Sequence, residues 1–460
     1  MTATTNEDTA ASMAPPGFAE ATWTWARIGL LGFGGPAGQI ALMHRVVVDE
    51  KRWVGEERFL HALNYCMLLP GPEAQQLAVY LGWLLHRTAG GLVAGLLFVL
   101  PGALVMLALS AIYVLYSDAP VLNAVFFGIK AAVVGIVLQA LIRIAKRSLK
   151  NAVMVALAAL AFVAIYLFNV PFPIIILGAG VLGWIGGLAR PDLFQASGGK
   201  GERYAGPPGA IDLMYARGEL THTRPDRGRL VRTLLIWLPL WLGPVLVLWL
   251  ALPGTVWPQI AGFFALMSVV TFGGAYAVLS YVAQAAVETY GWLSPQNMVD
   301  GLGLAETTPG PLILVLEFVG FLAAFRAAGA LDPLLAGVLG ALLTLWVTFV
   351  PCFFWIFLGA PYVEKLRGHA PTSAAMTAIT AAVVGVIANL ALWFALHVLF
   401  AEVFKPEVRG IGPDLPVLAS LDWRALVLVG LTAILLFRFR AGLLSVLGVS
   451  ALGGILLGLL

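Results

Sequence analysis

The chain has few charged residues and almost no cysteine. Only 11% of its 460 residues are Asp, Glu, Lys or Arg, against roughly 25% in soluble domains. The two cysteines, Cys66 and Cys352, lie in separate apolar segments and indicate neither a disulfide framework nor a metal site. The six histidines show no metal-ligand spacing, and no P-loop or nucleophile elbow occurs. We therefore expect no metal, no cofactor and no enzymatic activity.

Two further features are missing. The formal net charge of +3 is too small to indicate nucleic-acid binding. The residues from Met1 to about Gly17 lack the basic and apolar regions of a cleavable signal peptide. We predict that residues 1–20 form a disordered cytoplasmic tail.

Apolar residues are abundant instead. They make up 60% of the chain, and the mean hydropathy is +0.92. Several apolar runs are long enough to span a bilayer. The sequence therefore predicts an all-α polytopic membrane protein whose main surroundings are the lipid bilayer.

An internal duplication organises the chain. The motifs Phe33-Gly34-Gly35-Pro36 and Pro70-Gly71-Pro72 recur as Phe272-Gly273-Gly274 and Pro309-Gly310-Pro311, at a constant offset (272 − 33 = 239 and 309 − 70 = 239). Further on, an Ala-Ala-Val-Val-Gly run at 131–135 returns at 381–385, now offset by 250. We predict two related repeats.

Glycine and proline inside apolar runs predict broken helices. Proline removes a backbone donor and breaks the helix, and irregular backbone is too costly to face lipid. Half-helix N-termini suit an anion, and paired breaks in two halves are typical of a transporter's substrate site. Each repeat is predicted to contain two broken or re-entrant hairpins and about four spanning helices.

Basic residues predict the orientation. The first-half loops are basic and are placed in the cytoplasm, whereas the stretch 288–300 contains no Lys or Arg and is placed outside. A single span joining the halves would invert the second repeat, leaving the N-terminus cytoplasmic and the C-terminus periplasmic. In a rival topology the broken segments cross completely. The predicted units after the tail are repeat one (21–190), a polar cytoplasmic linker (191–232), a linker helix (233–254) and repeat two (255–460).

The motifs resemble those of the chromate ion transporter family in its long, two-domain form. The resemblance rests on Phe33–Ala41, Pro70–Ala78 and Tyr80–Trp83, and on the second copies Thr271–Leu279 and Glu306–Leu312. It implies efflux of chromate across a bacterial inner membrane and chromate resistance. Sulfate is a potential competitor because its shape and charge are close to those of chromate.

Candidate substrate-binding residues come from the breaks and from polar residues near them. They are Gly34, Gly35, Pro36, Gln39, Pro70, Gly71, Pro72, Gln75, Gln76, Lys130, Gly273, Gly274, Thr307, Thr308 and Gly310. The glycines would offer backbone N–H groups to the oxyanion. Close helix packing is the alternative for the glycines, interhelical hydrogen bonding for the polar side chains, and an ion pair with a glutamate for Lys130.

Three carboxylates, Glu73, Glu306 and Glu317, lie in or beside the broken segments. Charged groups inside membranes are costly and usually functional, so we predict a coupling or gating role. For Glu73 the alternatives are an ion pair with Lys130 and a stabilising charge in the first helical turn.

The sequence as a whole predicts a secondary transporter for chromate. Membrane potential would drive export, and proton coupling is left open. The alternatives are a carrier for sulfate or another oxyanion and, in a different class, an intramembrane enzyme or a lipid scramblase. The apolar tail 441–460 is also compatible with packing on a second copy in a homodimer.

Overall fold

The structure is a computed structural model that describes residues 15–116, 119–194, 207–272, 274–362, 370–406 and 412–458. Within these residues, six helices are long and apolar enough to cross a membrane, and three shorter helices are also apolar. The prediction of an all-α polytopic membrane protein is confirmed. Most of the predicted tail (1–14), part of the linker (195–206) and Gly273 lie outside the described residues.

The first half and the linker contain nine α-helices in the described residues. They are α1 (Phe18–Leu31), α2 (Gly35–His44), α3 (Glu56–Cys66), α4 (Glu73–Leu115), α5 (Pro120–Ser148), α6 (Ala152–Phe168), α7 (Phe172–Ala189), α8 (Ala210–Ala216) and α9 (Arg227–Ala251).

The second half follows the same plan. Its elements are α10 (Val256–Val270), α11 (Ala275–Gln284), α12 (Pro295–Thr307), α13 (Val315–Arg326), α14 (Pro333–Gly359), α15 (Ala370–Leu399), β1 (Val403–Phe404), β2 (Leu415–Pro416), α16 (Trp423–Ala433) and α17 (Leu443–Gly458). The strands β1 and β2 pair antiparallel in the loop that joins α15 to α16.

Helix breaks occur where glycine and proline predict them. Each of the four breaks contains a glycine with positive φ: Gly34 at 89°, Gly71 at 119°, Gly274 at 99° and Gly310 at 97°. Side chains rarely adopt this conformation, so the breaks depend on glycine. Proline at 36, 70, 72, 309 and 311 prevents the helices from continuing across them.

Basic residues at the ends of two apolar runs lie in a turn in one case and inside a helix in the other. The segments on either side of His86–Arg87 join through a tight turn inside α4, and its two limbs pack so closely that a Cβ on Gly82 would lie 2.4 Å from the carbonyl oxygen of Gly90. Helix α5 extends to Ser148, so Arg143 and Arg147 are helical, although we expected the basic residues that follow this apolar run to form a cytoplasmic loop. A helix can continue beyond its apolar span because long basic side chains reach toward water. Positive charge is also favourable at a helix C-terminus.

The linker docks on the first half. The Asp212 carboxylate accepts hydrogen bonds from the backbone N–H of Gly55 at 2.8 Å and from Arg58 Nε at 2.6 Å. The imidazole of His222 lies 3.0 Å from the carbonyl oxygen of Trp83. These contacts hold the loop that leads into α3, and therefore one leg of a broken hairpin.

Candidate functional site

The four helix breaks meet in two crosswise pairs. The N–H of Gly71 donates to the carbonyl of Thr271 at 2.8 Å, and the N–H of Gly310 donates to the carbonyl of Gly32 at 2.9 Å. Each bond joins one half to the other, and the two bonds are related by the same offset (32 + 239 = 271 and 71 + 239 = 310). The structure thus brings the breaks of both halves together. Pro70 and Pro72 flank one of these bonds, and Pro309 and Pro311 flank the other.

Two glycines predicted to contact the anion have no free amide. The N–H groups of Gly71 and Gly310 are already bonded across the two halves. An unpaired buried amide would be costly, and here the other half satisfies it. In this structure these two amides join the halves, and substrate contact by Gly71 and Gly310 stays a prediction.

Gln39 and Gln76 support the same junction. Gln39 Nε2 donates to the carbonyl of Gly32 at 3.2 Å and also to the carbonyl of Gly310. Gln76 Nε2 donates to the carbonyl of Pro70 at 2.7 Å. Both of Gln39's amide protons are engaged, so its predicted role as a donor to an oxyanion is not available in this structure.

Thr307 and Thr308 are bonded within their own helix. Their hydroxyls donate to the carbonyls of Leu304 at 2.7 Å and Ala305 at 2.9 Å. Gln75 differs, because it is fully buried and neither of its side-chain polar atoms has a partner among the described residues. Buried amides are normally hydrogen-bonded, so Gln75 retains both a donor and an acceptor for a further group.

The N-termini of α2 and α11 remain as candidate anion contacts. Neither helix has a side-chain cap. Gly34 is exposed, Pro36 is half-buried, and a Cβ on Gly35 would meet no atom within 4 Å, so open space lies at the start of α2. At the start of α11, a Cβ on Gly274 would lie 3.9 Å from a carboxylate oxygen of Glu73.

The three predicted carboxylates have different surroundings. Glu73 is half-buried at the start of α4, next to the break of the other half. Glu306 is buried and accepts a hydrogen bond from the Tyr276 hydroxyl at 2.6 Å. Glu317 is buried within α13, and neither of its oxygens has a partner among the described residues. Glu73 and Glu306 are thus near the breaks, whereas Glu317 lies one element further on.

Lys130 pairs with a residue that was not predicted. Its Nζ lies 3.4 Å from Asp300 Oδ1, and Asp300 Oδ2 accepts a hydrogen bond from the Tyr113 hydroxyl at 2.9 Å. Asn297 Nδ2 in turn donates to that hydroxyl at 2.7 Å. The proposed partner Glu73 was therefore wrong. Asp300 was overlooked because it was assigned to an external loop, whereas it lies buried in α12.

Sequence reasoning also missed two arginines. Arg143 is close enough to Glu306 and Tyr276 for its charge to act on both. The charge of Arg147 acts on Glu73. Both arginines are on the last turns of α5, beyond the apolar run by which the span was recognised.

The space beside each hairpin differs between the halves. Helix α11 packs on α15, whereas α2 makes no comparable contact with α5, its counterpart pair, in the described residues. We call the space between α2 and α5 the first cleft and that between α11 and α15 the second cleft. Ser280 on α11 is buried and lines the second cleft, whereas its counterpart on α2, Ala41 (280 − 239 = 41), is exposed.

A charge cluster lies at the outer rim of the second cleft. Lys405, from the loop that carries β1, forms an ion pair with Glu288, which follows α11, and lies 3.7 Å from Asp414 Oδ1. By helix packing, we call the first cleft open and the second closed, although a cavity lined by Ser280, Trp393 and Lys405 remains in the second.

Known proteins match the chain along most of its length. Residues 19–184 and 258–458 match the model of a family described as chromate transporter. A chromate transport protein of Cupriavidus metallidurans is 31% identical over 80% of this chain and 80% of its own length. A probable chromate transport protein of Synechococcus elongatus is 28% identical over 80% of this chain and 82% of its own. No solved structure matches.

Proposed function

Because the chain belongs to the chromate transporter family, we propose that it is a secondary transporter that exports chromate by alternating access. The observation that carries this proposal is the crosswise junction of the breaks, with one cleft open and the other closed beside it. In an alternating-access transporter, two related halves that exchange conformations expose one substrate site first to one side of the membrane and then to the other.

The substrate site would lie at the junction of the breaks. The groups still available there are the N-termini of α2 and α11 and the side chain of Gln75. Helix N-termini present backbone N–H groups and a partial positive charge, which suit a tetrahedral oxyanion. Glu73, beside Gly274, would act as the gate, because a charged carboxylate at that position repels an anion.

The protein would lie in a bacterial inner membrane with its N-terminus in the cytoplasm and its C-terminus in the periplasm. The basic loops of the first half support this orientation. The first cleft would then open to the cytoplasm and the second to the periplasm. The two repeats would run from 21 to 190 and from 255 to 460, in opposite senses.

Membrane potential supplies enough energy for export. Each charge that moves outward from a negative cytoplasm gains ~2.3 kcal/mol per 100 mV, so a dianion gains about 4.6 kcal/mol. At 1.4 kcal/mol per tenfold, this supports a concentration ratio of roughly a thousandfold or more. Proton coupling through Glu73 would be an additional source of energy and is separable by experiment.

Flux into inverted vesicles tests the proposal. Chromate uptake should be saturable, should increase with an inside-positive potential and should persist when the pH gradient is abolished. Uptake that needs the pH gradient instead would establish proton coupling, and uptake of sulfate in preference to chromate would identify a different oxyanion carrier.

A matched pair of glycine variants tests the site. Gly274→Val should abolish uptake, because it combines a positive φ with a position facing Glu73. Gly262→Val is the control, since a Cβ at Gly262 meets nothing within 4 Å. Equal uptake by both variants at equal expression would exclude the α11 N-terminus from the substrate site.

A further inference from the structure

The end of α5 carries a basic face beside the first cleft. Arg143 and Arg147 are one helical turn apart, both are exposed, and neither has an ion pair among the described residues. Two lysines add positive charge nearby: Lys146 lies in the last turn of α5, and Lys150 lies just after the helix ends at Ser148. Exposed guanidinium groups without ion pairs, at the end of a helix that forms one wall of the first cleft, are available to an anion.

Arg147 contacts the hairpin leg that leads to a break, and Arg143 lies one turn earlier on the same helix. Arg147 Nη2 lies 4.0 Å from Met67 Sδ, at the end of the hairpin leg that leads to Pro70. Its charge acts on Glu73, and that of Arg143 acts on Glu306 and Tyr276. Both cations therefore lie within electrostatic reach of the carboxylates that stand at the junction.

The second half has no such cations at the equivalent positions. The 250-residue offset relates Arg143 to Trp393 and Arg147 to His397 (143 + 250 = 393 and 147 + 250 = 397). On α15 these two rings are in tilted contact, with centroids 4.3 Å apart, and Trp393 lines the cavity in the second cleft. The basic pair therefore occurs only beside the first cleft, and the two clefts differ in charge at these equivalent positions.

We infer that Arg143 and Arg147 form the intake site for the oxyanion, at the mouth of the first cleft. This inference rests on the proposed function and adds the residues that first capture the substrate. Two guanidinium groups match a tetrahedral dianion in charge, and each offers paired N–H donors to two oxygens. Glu73 and Glu306 compete for the same cations, which keeps the captured anion from being held too tightly.

The test is the concentration dependence of chromate uptake into inverted vesicles, which expose the cytoplasmic side. Arg143→Gln and Arg147→Gln should each raise the half-saturating chromate concentration about tenfold, since a hydrogen bond to a charged group is lost. The maximal rate should change much less, because the arginines act before the substrate reaches the breaks. Lys150→Gln removes the same charge beyond the helix end and should leave both values unchanged.

Arg-to-Lys variants distinguish specific capture from general attraction. Arg143→Lys and Arg147→Lys keep the charge and lose the paired donors, so they should fall between wild type and the Gln variants. Raising the ionic strength should increase the half-saturating concentration of wild type more than that of the double Gln variant.

Each result decides between defined outcomes. If wild type transports chromate and the double Gln variant has the wild-type half-saturating concentration, the intake site is refuted while the proposed function stands. An equal effect of Lys150→Gln would assign the arginines to bulk surface charge and also refute the site. If wild type does not move chromate, the proposed function itself fails.

Discussion

The first and second clefts are related by sequence but differ in shape and charge. The first is open and has arginines at its rim, whereas the second is closed, with aromatic side chains inside and the Lys405–Glu288 ion pair at its edge. The two halves, whose break motifs recur at a constant offset, thus differ in conformation. They differ at the cleft walls, whereas the glycine and proline breaks between the clefts are alike.

The largest expected effect concerns the pair of Lys130 and Asp300, which the duplication does not repeat. Their counterparts are Thr380 (130 + 250) and His61 (300 − 239). Lys130→Met leaves the Asp300 carboxylate buried without its cation and should destabilise the fold by about 3 kcal/mol, measured by thermal unfolding in detergent. Lys130→Met with Asp300→Asn should recover most of that loss. Additive losses from the two single changes would show that the side chains are not coupled.

A second prediction tests whether one cleft is open and the other closed. Ala41→Cys and Ser280→Cys place a thiol at equivalent positions of the two clefts. A maleimide should label Ala41→Cys several-fold faster, because thiol reactivity needs access. Wild type is the control, since Cys66 and Cys352 are both buried. Equal labelling rates would contradict the asymmetry.

Removing the Lys405 ion pairs at the second cleft provides a further test of the difference in labelling rate between the two clefts. Adding Lys405→Gln to Ser280→Cys removes the ion pairs with Glu288 and Asp414. Exposed ion pairs contribute up to ~1 kcal/mol, so labelling should rise by at most about fivefold. Labelling of Ala41→Cys should stay the same or fall, because opening one cleft favours closing the other.

The smallest effect concerns the linker, which docks on the first half through His222. Burial lowers the pKa of His222 below its usual 6.5, helped by Arg87 and Arg229 and opposed by the hydrogen bond to the Trp83 carbonyl. The folded protein therefore takes up this proton less readily than the unfolded chain. Its contribution to stability is present above pH 6.5 and declines as the pH falls toward the lowered pKa.

His222→Gln should flatten that dependence. Thermal unfolding of wild type and variant should be compared from pH 7.5 to pH 5. The stability difference between them should become smaller as the pH falls. A difference that is constant with pH would show that His222 contributes by packing alone.

The fold was predictable where the signal is local. Glycine and proline dictate helix breaks through their own backbone chemistry, and Gly34, Gly71, Gly274 and Gly310 all have the positive φ that this requires. The end of α5 was not predictable in this way. Hydropathy ends an apolar span at its first charges, but the helix itself continues through Arg143 and Arg147.

The site was less predictable because its partners are distant in sequence. Gly71 bonds to Thr271, and Lys130 pairs with Asp300; no local pattern records either contact. The repeated motifs identified the region where the breaks meet. They did not reveal which backbone amides are hydrogen-bonded to the other half of the chain. The single intrahelical bonds of Thr307 and Thr308 were equally invisible, because a threonine can bond to its own helix or to a ligand.

The crosswise bonds also have a consequence for biogenesis. While the ribosome is still translating the second half, the amide of Gly71 lacks its partner, the carbonyl of Thr271, whereas the carbonyl of Gly32 still accepts from Gln39. Unsatisfied backbone groups are costly in hydrocarbon. The nascent first half must therefore keep the break at Gly71 hydrated or chaperoned until Thr271 has been inserted, and premature termination between the halves should yield a fragment that is rapidly degraded.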